Sequence, residues 1–402
     1  MNAMVNCKYQ DLFFIIILIP FSLLINLNDG YEFFLLGFIL FLNLYSLVSE
    51  KSSLIEKCLF LCLSVFIMLL CGAYFNENLD ILIGPDEYRF YQEYMVYSYD
   101  RVKYLNDAIS HVAENNFFHS SSYPVFGFFI NPVIDFFRFG DISPKYIIPV
   151  NFFLLFLIFL LLKRIIPISK GNNTYLLFVL LSPAVVYHSL VYAKDILSLF
   201  LIFLACLAGM KKKIVLFAIL IVIASLLRPY SIAIAFVYLS FFFLPIRYIF
   251  LSSFFCLLIA FIFTGVSGVV NAFITVPYLI ISPNPTNIFD GRSDYLPLYF
   301  ESIVFSVVYV VSILICIYKK KIDLLIIFHL CLVVYSVVMV LVGYSGSVAY
   351  GNSYGFGDMG GNLVRKKIPM VPLILLFFYC SLTSKYKDLV WFRYYFTLKF
   401  RF

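Results

Sequence analysis

Four polar clusters interrupt an otherwise apolar chain, and each holds groups that can do acid–base or anion chemistry. The first is Gly84-Pro85-Asp86-Glu87-Tyr88-Arg89-Phe90-Tyr91. A helix opening at Pro85 places Asp86 and Glu87 in its first turn, where negative charge suits the helix dipole. One reading is a capped interfacial helix with Tyr88, Tyr91 and Tyr94 at headgroup depth. The other makes Asp86 or Glu87 the general base of a site at a membrane surface, with Arg89 beside it as an anion contact. The second cluster is Lys194-Asp195 in VYAKDILSLF. It reads either as the polar tip of a hairpin or as a lysine presented to an anionic, lipid-linked group. His188, just before it, is more readily a satisfied polar residue of a helix bundle than a catalyst.

The third cluster, Arg228-Pro229-Tyr230 in IVIASLLRPYSIAIAF, is the strongest local signal. Pro229 ends one helix and can open the next, which holds Arg228 at a junction between two apolar runs. A guanidinium matches phosphate oxygens in bidentate geometry, so anion binding and a structural ion pair are the two readings. The fourth is Arg365-Lys366-Lys367, which opens the last apolar run after a stretch with seven glycines from Gly343 to Gly361. Flexible loops over a rigid frame commonly bind or gate substrate; a linker with a basic headgroup anchor is the plainer reading. Arg292 and Asp294 in DGRSDY either join this surface or belong to a turn.

Other chemistries lack their motifs. The chain has no GxxxxGK[ST] phosphate loop and no HExxH. Its nine cysteines form no CxxC pair, and most lie inside apolar runs, where they act as small hydrophobes. Neither a metal nor a cofactor is expected.

The elements that must position these clusters are membrane helices. The chain has 402 residues, of which 63% are hydrophobic and only 13% charged, with a mean hydropathy of +0.98. So few charges cannot cover a water-soluble surface of this size. The expected fold is all-α and polytopic, a single integral membrane domain over 1–402 with about twelve transmembrane helices and a range of ten to thirteen. The candidate spans are 12–27, 31–49, 57–75, 146–162, 175–192, 196–210, 214–227, 231–246, 249–266, 299–318, 323–342 and 368–382. Lys8 before the first run resembles a signal peptide, but no small-residue cleavage pattern follows, so the run reads as a retained helix. The run 123–137 is interrupted by Pro124, Asn131 and Pro132 and reads as re-entrant or interfacial.

Charge then orients the chain. With the N-terminus in the cytoplasm, alternation puts 18 of 29 basic residues but only 5 of 22 acidic ones on that side. This satisfies the positive-inside rule and makes both termini cytoplasmic, with a basic tail at 383–402. Three substantial loops then face outward: 76–145, about 267–298, and the Gly-rich 343–367. All four clusters fall on that side. The net charge of +7 punctuates apolar runs instead of forming a stripe, so lipid headgroups and not nucleic acid are its partners.

Outward carboxylates and cations around a membrane cavity suit one reaction class. Cations hold a polyprenyl pyrophosphate and stabilise its charge as it leaves a sugar. A carboxylate takes the proton of an acceptor hydroxyl. At this point the sequence resembles the Wzy-type O-antigen and capsular repeat-unit polymerases of bacterial inner membranes. The resemblance rests on the GPDEYRFY-like stretch, then SPAVVYHSLVYAKD, then LLRPY, then GNLVRKKIPMVP, and covers about 84 to 373. It implies transfer of lipid-linked repeat units on the periplasmic face, with no cofactor. Carried over, Arg228 and Arg365 handle phosphate, Asp86 is the base candidate with Glu87 beside it, and Lys194 supports the pyrophosphate. Arg89, Asp195, Tyr230, Arg292 and Lys366 complete the expected binding set. A chain-length regulator and a flippase are the protein partners this family implies. Another polyprenyl-linked-sugar glycosyltransferase or an O-antigen ligase shares the topology, and twelve spans also describe a polysaccharide flippase or secondary transporter.

Overall fold

A computed structural model describes residues 11, 13–18, 32–49, 54–78, 80–114, 122–138, 141–166, 174–288, 295–349, 353–358 and 363–383. Among them every regular element is helical. The chain divides into two compact units, one made of Met1–Arg164, Gly171–Ala205 and Ile214–Pro229, the other of Ile165–Lys170, Cys206–Lys213 and Tyr230–Phe402.

The first unit begins with α1 (Glu32–Ser49) and α2 (Leu54–Asn78). On α1 the aromatic residues Phe34, Phe38, Phe41 and Tyr45 recur at helical spacing, and on α6 (Ile147–Ile165) Phe152, Phe156 and Phe159 do the same. The stripes meet edge to face: Phe38 and Phe152 lie 4.7 Å apart, Phe41 and Phe156 5.0 Å, and Tyr45 and Phe159 5.4 Å. Between helices that face lipid, water exclusion does little, so packing and polar contacts decide the register. Each such ring pair contributes about 0.5–1.5 kcal/mol. Asn43 of α1 adds a hydrogen bond to Ser64 Oγ of α2 at 2.9 Å.

The segment expected as a large outward loop holds three short helices: α3 (Pro85–Tyr99), α4 (Arg101–Glu114) and α5 (Ser122–Phe137). Asp100 caps α4, its Oδ1 accepting from the amides of Val102 and Lys103. Asp135 ties the three together, accepting from Tyr94 of α3 at 3.1 Å and from Arg101 of α4 at 3.0 Å. The run 123–137 is thus one helix with Pro132 inside it.

After α6 the chain forms α7 (Thr174–Leu181), α8 (Pro183–Leu190) and α9 (Asp195–Met210). Proline removes an amide donor and disfavours helical geometry in the residue before it, which separates α7 from α8 at Ser182. Between α8 and α9 the backbone leaves the helix over 191–194, and the axis bends by 116°. Buried Asn151 of α6 donates to the carbonyls of Ser189 and Val191 at 3.0 and 3.3 Å, and the Tyr192 amide donates to Ile81. Backbone groups released at the break therefore find partners in the protein, as an apolar surrounding demands. The unit closes with α10 (Ile214–Leu227), ended by Arg228-Pro229.

The second unit contains α11 (Ser231–Phe243), α12 (Ile246–Ile281), α13 (Leu296–Tyr318), α14 (Ile322–Ala349), α15 (Leu363–Lys367) and α16 (Val371–Leu382). Helix α12 carries non-helical backbone at Gly265, with φ 67° and ψ −158°, a conformation open in practice to glycine alone. Its continuation is apolar and stays helical to Ile281, so the outward loop expected from about 267 starts only at Ser282. Helix α14 likewise runs to Ala349, beyond the expected loop start at 343. Lys321 caps α16, donating to the carbonyls of Cys380, Ser381 and Thr383 at 2.6–2.8 Å.

Among the described residues five helices are long and apolar enough to cross a membrane, or six if the bent pair α8 and α9 counts as one span. Shorter apolar helices lie at Phe34–Val48, Tyr123–Phe137, Ile214–Leu227 and Ser231–Phe243. This is an all-α protein with the helices of a multi-pass membrane protein.

Candidate functional site

In the first unit, three of the sequence clusters meet. Asp195 is the first residue of α9 and Arg228 follows the last residue of α10. Arg228 Nη2 lies 2.7 Å from Asp195 Oδ1, with the side chains only 15% and 6% exposed. A buried guanidinium beside a buried carboxylate is strongly held in place, because separating them would leave two uncompensated charges. Lys194, also buried, sits on the irregular stretch just before α9. Its Nζ lies 5.6 Å from the Phe90 ring and 5.9 Å from the Tyr123 ring, against the aromatic faces that attract cations.

The GPDEYRFY stretch forms the other wall. Pro85 opens α3 at its first position, as expected. Asp86 is exposed, and its Oδ1 accepts the Tyr123 hydroxyl proton at 3.0 Å. Arg89 stacks over the same Tyr123 ring at 4.3 Å, and Phe90 lies 4.6 Å from it. Tyr123 therefore organises Asp86, Arg89, Phe90 and Lys194 around one phenol. Glu87 follows Asp86 on the same helix. It is buried, and its Oε2 lies only 2.7 Å from where a Cβ on Gly84 would stand. The glutamate lies back over its own N-cap, and this close approach leaves no room for a Cβ there. His188 is buried and bonds Ala184 O at 2.9 Å, a satisfied polar residue of its helix.

Glu93, one turn beyond Arg89 on α3, was not among the expected residues. Burial pushes its carboxyl up to about 7, offset in part by Arg89 and reinforced by Asp107. The Arg89 contact is long, at 3.9 Å, so it offsets only part of the loss of solvation. Below the ordinary carboxyl value both folded and unfolded chains carry the proton. As pH rises from there to about 7, the unfolded chain gives it up first, so the helix cluster loses stability. The loss is on the order of 2–3 kcal/mol. Glu93→Gln is expected to flatten the dependence, measured as hydrogen-exchange protection of 85–114 between pH 5 and 8. An unchanged profile would show that another group titrates.

The second unit holds the remaining described candidates. The Tyr230 ring lies 6.4 Å from that of Tyr335. Tyr335 in turn donates to the carbonyl of Lys366 at 2.8 Å, and Tyr238 donates to Pro369 O at 2.7 Å. The basic turn is thus held by its backbone. Lys367, fully buried, bonds Glu301 Oε2 and the Ser282 carbonyl at 2.7 and 2.6 Å. Lys366 is also buried, and Arg365 is partly exposed. Before this turn the Gly-rich stretch is fastened to α12. Buried Asn271 donates to Gly355 O at 2.9 Å and accepts from the Gly357 amide at 2.9 Å. Arg292 and Asp294 lie outside the described residues.

Tyr123, Asn151, Glu93 and Glu301 escaped the sequence reading. Asn151 and Glu301 had a signal, since each is a polar residue inside an apolar helix. Tyr123 had none, because one tyrosine among 31 carries no mark. Among the described residues no group of three or more His, Cys, Asp or Glu is placed to hold a metal ion. Comparison with protein-family models, with curated proteins and with solved structures finds no match for this chain.

Proposed function

We propose that this protein joins polyprenyl-pyrophosphate-linked oligosaccharide repeat units on the periplasmic face of a bacterial inner membrane. The observation that carries the reading is the buried Arg228–Asp195 pair beside Lys194, at a break between apolar helices. Irregular backbone and charge at such a place are costly and mark function by default. In the proposed topology the chain crosses about twelve times with both termini in the cytoplasm, and shorter apolar helices supply some of the crossings beyond the long ones.

The chemistry follows from the residues. Arg228 and Lys194 bind the pyrophosphate of the donor and stabilise its charge as the bond to the anomeric carbon breaks. The acceptor hydroxyl oxygen forms the new bond to that carbon, and its proton goes to a carboxylate. The Tyr123 hydroxyl, which donates to Asp86 Oδ1 and orients that carboxylate, supports Asp86 in this role. The Phe90 and Tyr123 rings offer apolar faces of the kind that pack on sugars. Arg365 keeps the phosphate-handling role that the resemblance assigns it.

The test is a surface-polysaccharide gel after deletion of the gene, with and without the wild-type copy restored. Loss of the ladder with a band for core plus one repeat unit retained is the expected outcome. Loss of every repeat-bearing band would point to ligation, unit synthesis or export.

One observation favours a second reading, a polysaccharide flippase or transporter. Transporters place substrate at discontinuous helices, and α8 and α9 form such a pair with Asp195 at the bend. Cysteine labelling from both sides separates the two. A transporter exposes position 195 alternately to each side; a transferase keeps it outward.

A further inference from the structure

The Arg228–Asp195 contact raises a question of competition. Any anion that uses Arg228 must take the place of, or share, the carboxylate 2.7 Å away. We propose that Asp195 is a built-in stand-in anion, which neutralises Arg228 while no ligand is bound and is displaced by a diphosphate. The proposal rests on the pyrophosphate reading above.

The placement of the two groups supports exchange. Neither sits in mid-helix: Asp195 starts α9 after four irregular residues, and Arg228 follows the end of α10. Such positions move with less disturbance of backbone hydrogen bonds than interior ones. A guanidinium buried in apolar surroundings needs an anion at all times, so a site that must wait empty for its substrate has to carry its own. A single carboxylate is also a weak competitor. A diphosphate brings more charge and more acceptor oxygens, which suit the planar fork of an arginine. Lys194, adjacent in sequence, supplies a second cation for the extra charge.

The experiment uses the full chain in lipid nanodiscs, with long-chain polyprenyl pyrophosphate and inorganic pyrophosphate as the two probes. Asp195→Asn keeps the shape of the side chain and removes its charge. Without ligand this variant is expected to melt below wild type, because Arg228 has lost its counter-charge. With polyprenyl pyrophosphate its melting point is expected to rise more than that of wild type, and its Kd to fall roughly 10- to 100-fold. Inorganic pyrophosphate should show the same preference at weaker overall affinity. A preference lost without the tail would assign the effect to the tail and overturn the exchange. Equal Kd values for wild type and Asp195→Asn would also overturn it while leaving the pyrophosphate reading intact. No binding of either probe to either protein would instead sink that reading.

If Asp195→Asn does not fold, infrared difference spectra of wild type labelled with carboxyl-13C aspartate give the same decision. Adding polyprenyl pyrophosphate is expected to shift a carboxylate band, as a carboxylate leaves a guanidinium. Unchanged carboxylate bands at saturating ligand would overturn the displacement.

Discussion

Arg228→Lys is expected to abolish polymer formation while leaving a normal amount of protein in the membrane. Lysine keeps the positive charge, so Asp195 retains a partner and the fold of the first unit survives. What lysine lacks is the planar pair of donors that meets two phosphate oxygens at once. Loss of one preorganised donor at a developing charge typically lowers turnover by about 10²- to 10³-fold. The measurement is polysaccharide chain length on a gel beside an immunoblot of the membrane fraction. Normal chain length at normal protein level would exclude Arg228 from phosphate handling and return it to the role of a structural ion pair. Arg228→Ala is expected to give the same loss of polymer with protein still in the membrane. It is the harsher variant, because it strands the Asp195 carboxylate with 6% exposure. Breaking a buried pair by removing one partner costs about 3–5 kcal/mol. The lysine variant therefore separates chemistry from stability, and the alanine variant does not.

The largest expected stability effect lies in the second unit. Lys367 bonds Glu301 at 2.7 Å with side-chain exposures of 0% and 2%, and it also donates to Ser282 O. One side chain thus fastens the end of α15 to α13 and to the end of α12. Lys367→Ala should destabilise by about 3–5 kcal/mol, since it leaves a carboxylate buried with its counter-charge gone. The double variant Lys367→Met/Glu301→Leu removes both charges and fills the space. It should recover most of that loss, because replacing both members of a buried pair with apolar groups is often neutral. Thermal unfolding of the detergent-solubilised single and double variants checks the difference. Equal losses in both would show that the pair acts through packing and the Ser282 bond instead of charge. The basic turn would then be held mainly by Tyr335 and Tyr238, through the carbonyls of Lys366 and Pro369.

The class of the protein was legible in its residues, because an apolar run needs no partner to declare itself. The helix expected over 146–162 forms over Ile147–Ile165, and the break expected at Pro229 is there, where the missing amide acts locally; the break at Pro183 divides what was expected as the single span 175–192. The dipole-matched start of α3 at Pro85 was equally readable. Loop boundaries were less so. Residues 267–281 and 343–349 were expected in loops yet continue helices, since Gly265 and the late glycines permit a break without requiring a loop. Glu87 read as an alternative base from its place in the sequence, and its return toward Gly84 came to light only in the structure.

Partnership was what only the tertiary structure could decide. Arg228 read first as an anion site and second as an ion pair, and Asp195, 33 positions earlier, turned out to stand beside it. Asp86 meets Tyr123 across 37 residues, and Lys367 meets Glu301 across 66. Hydropathy and helix periodicity act over a few turns, so they set which segments become helices and which face of each is apolar. A salt bridge or hydrogen bond acts over about 3 Å in space and is blind to distance along the chain. The charges of this protein were therefore visible from the start, whereas their pairing came into being only when the helices packed.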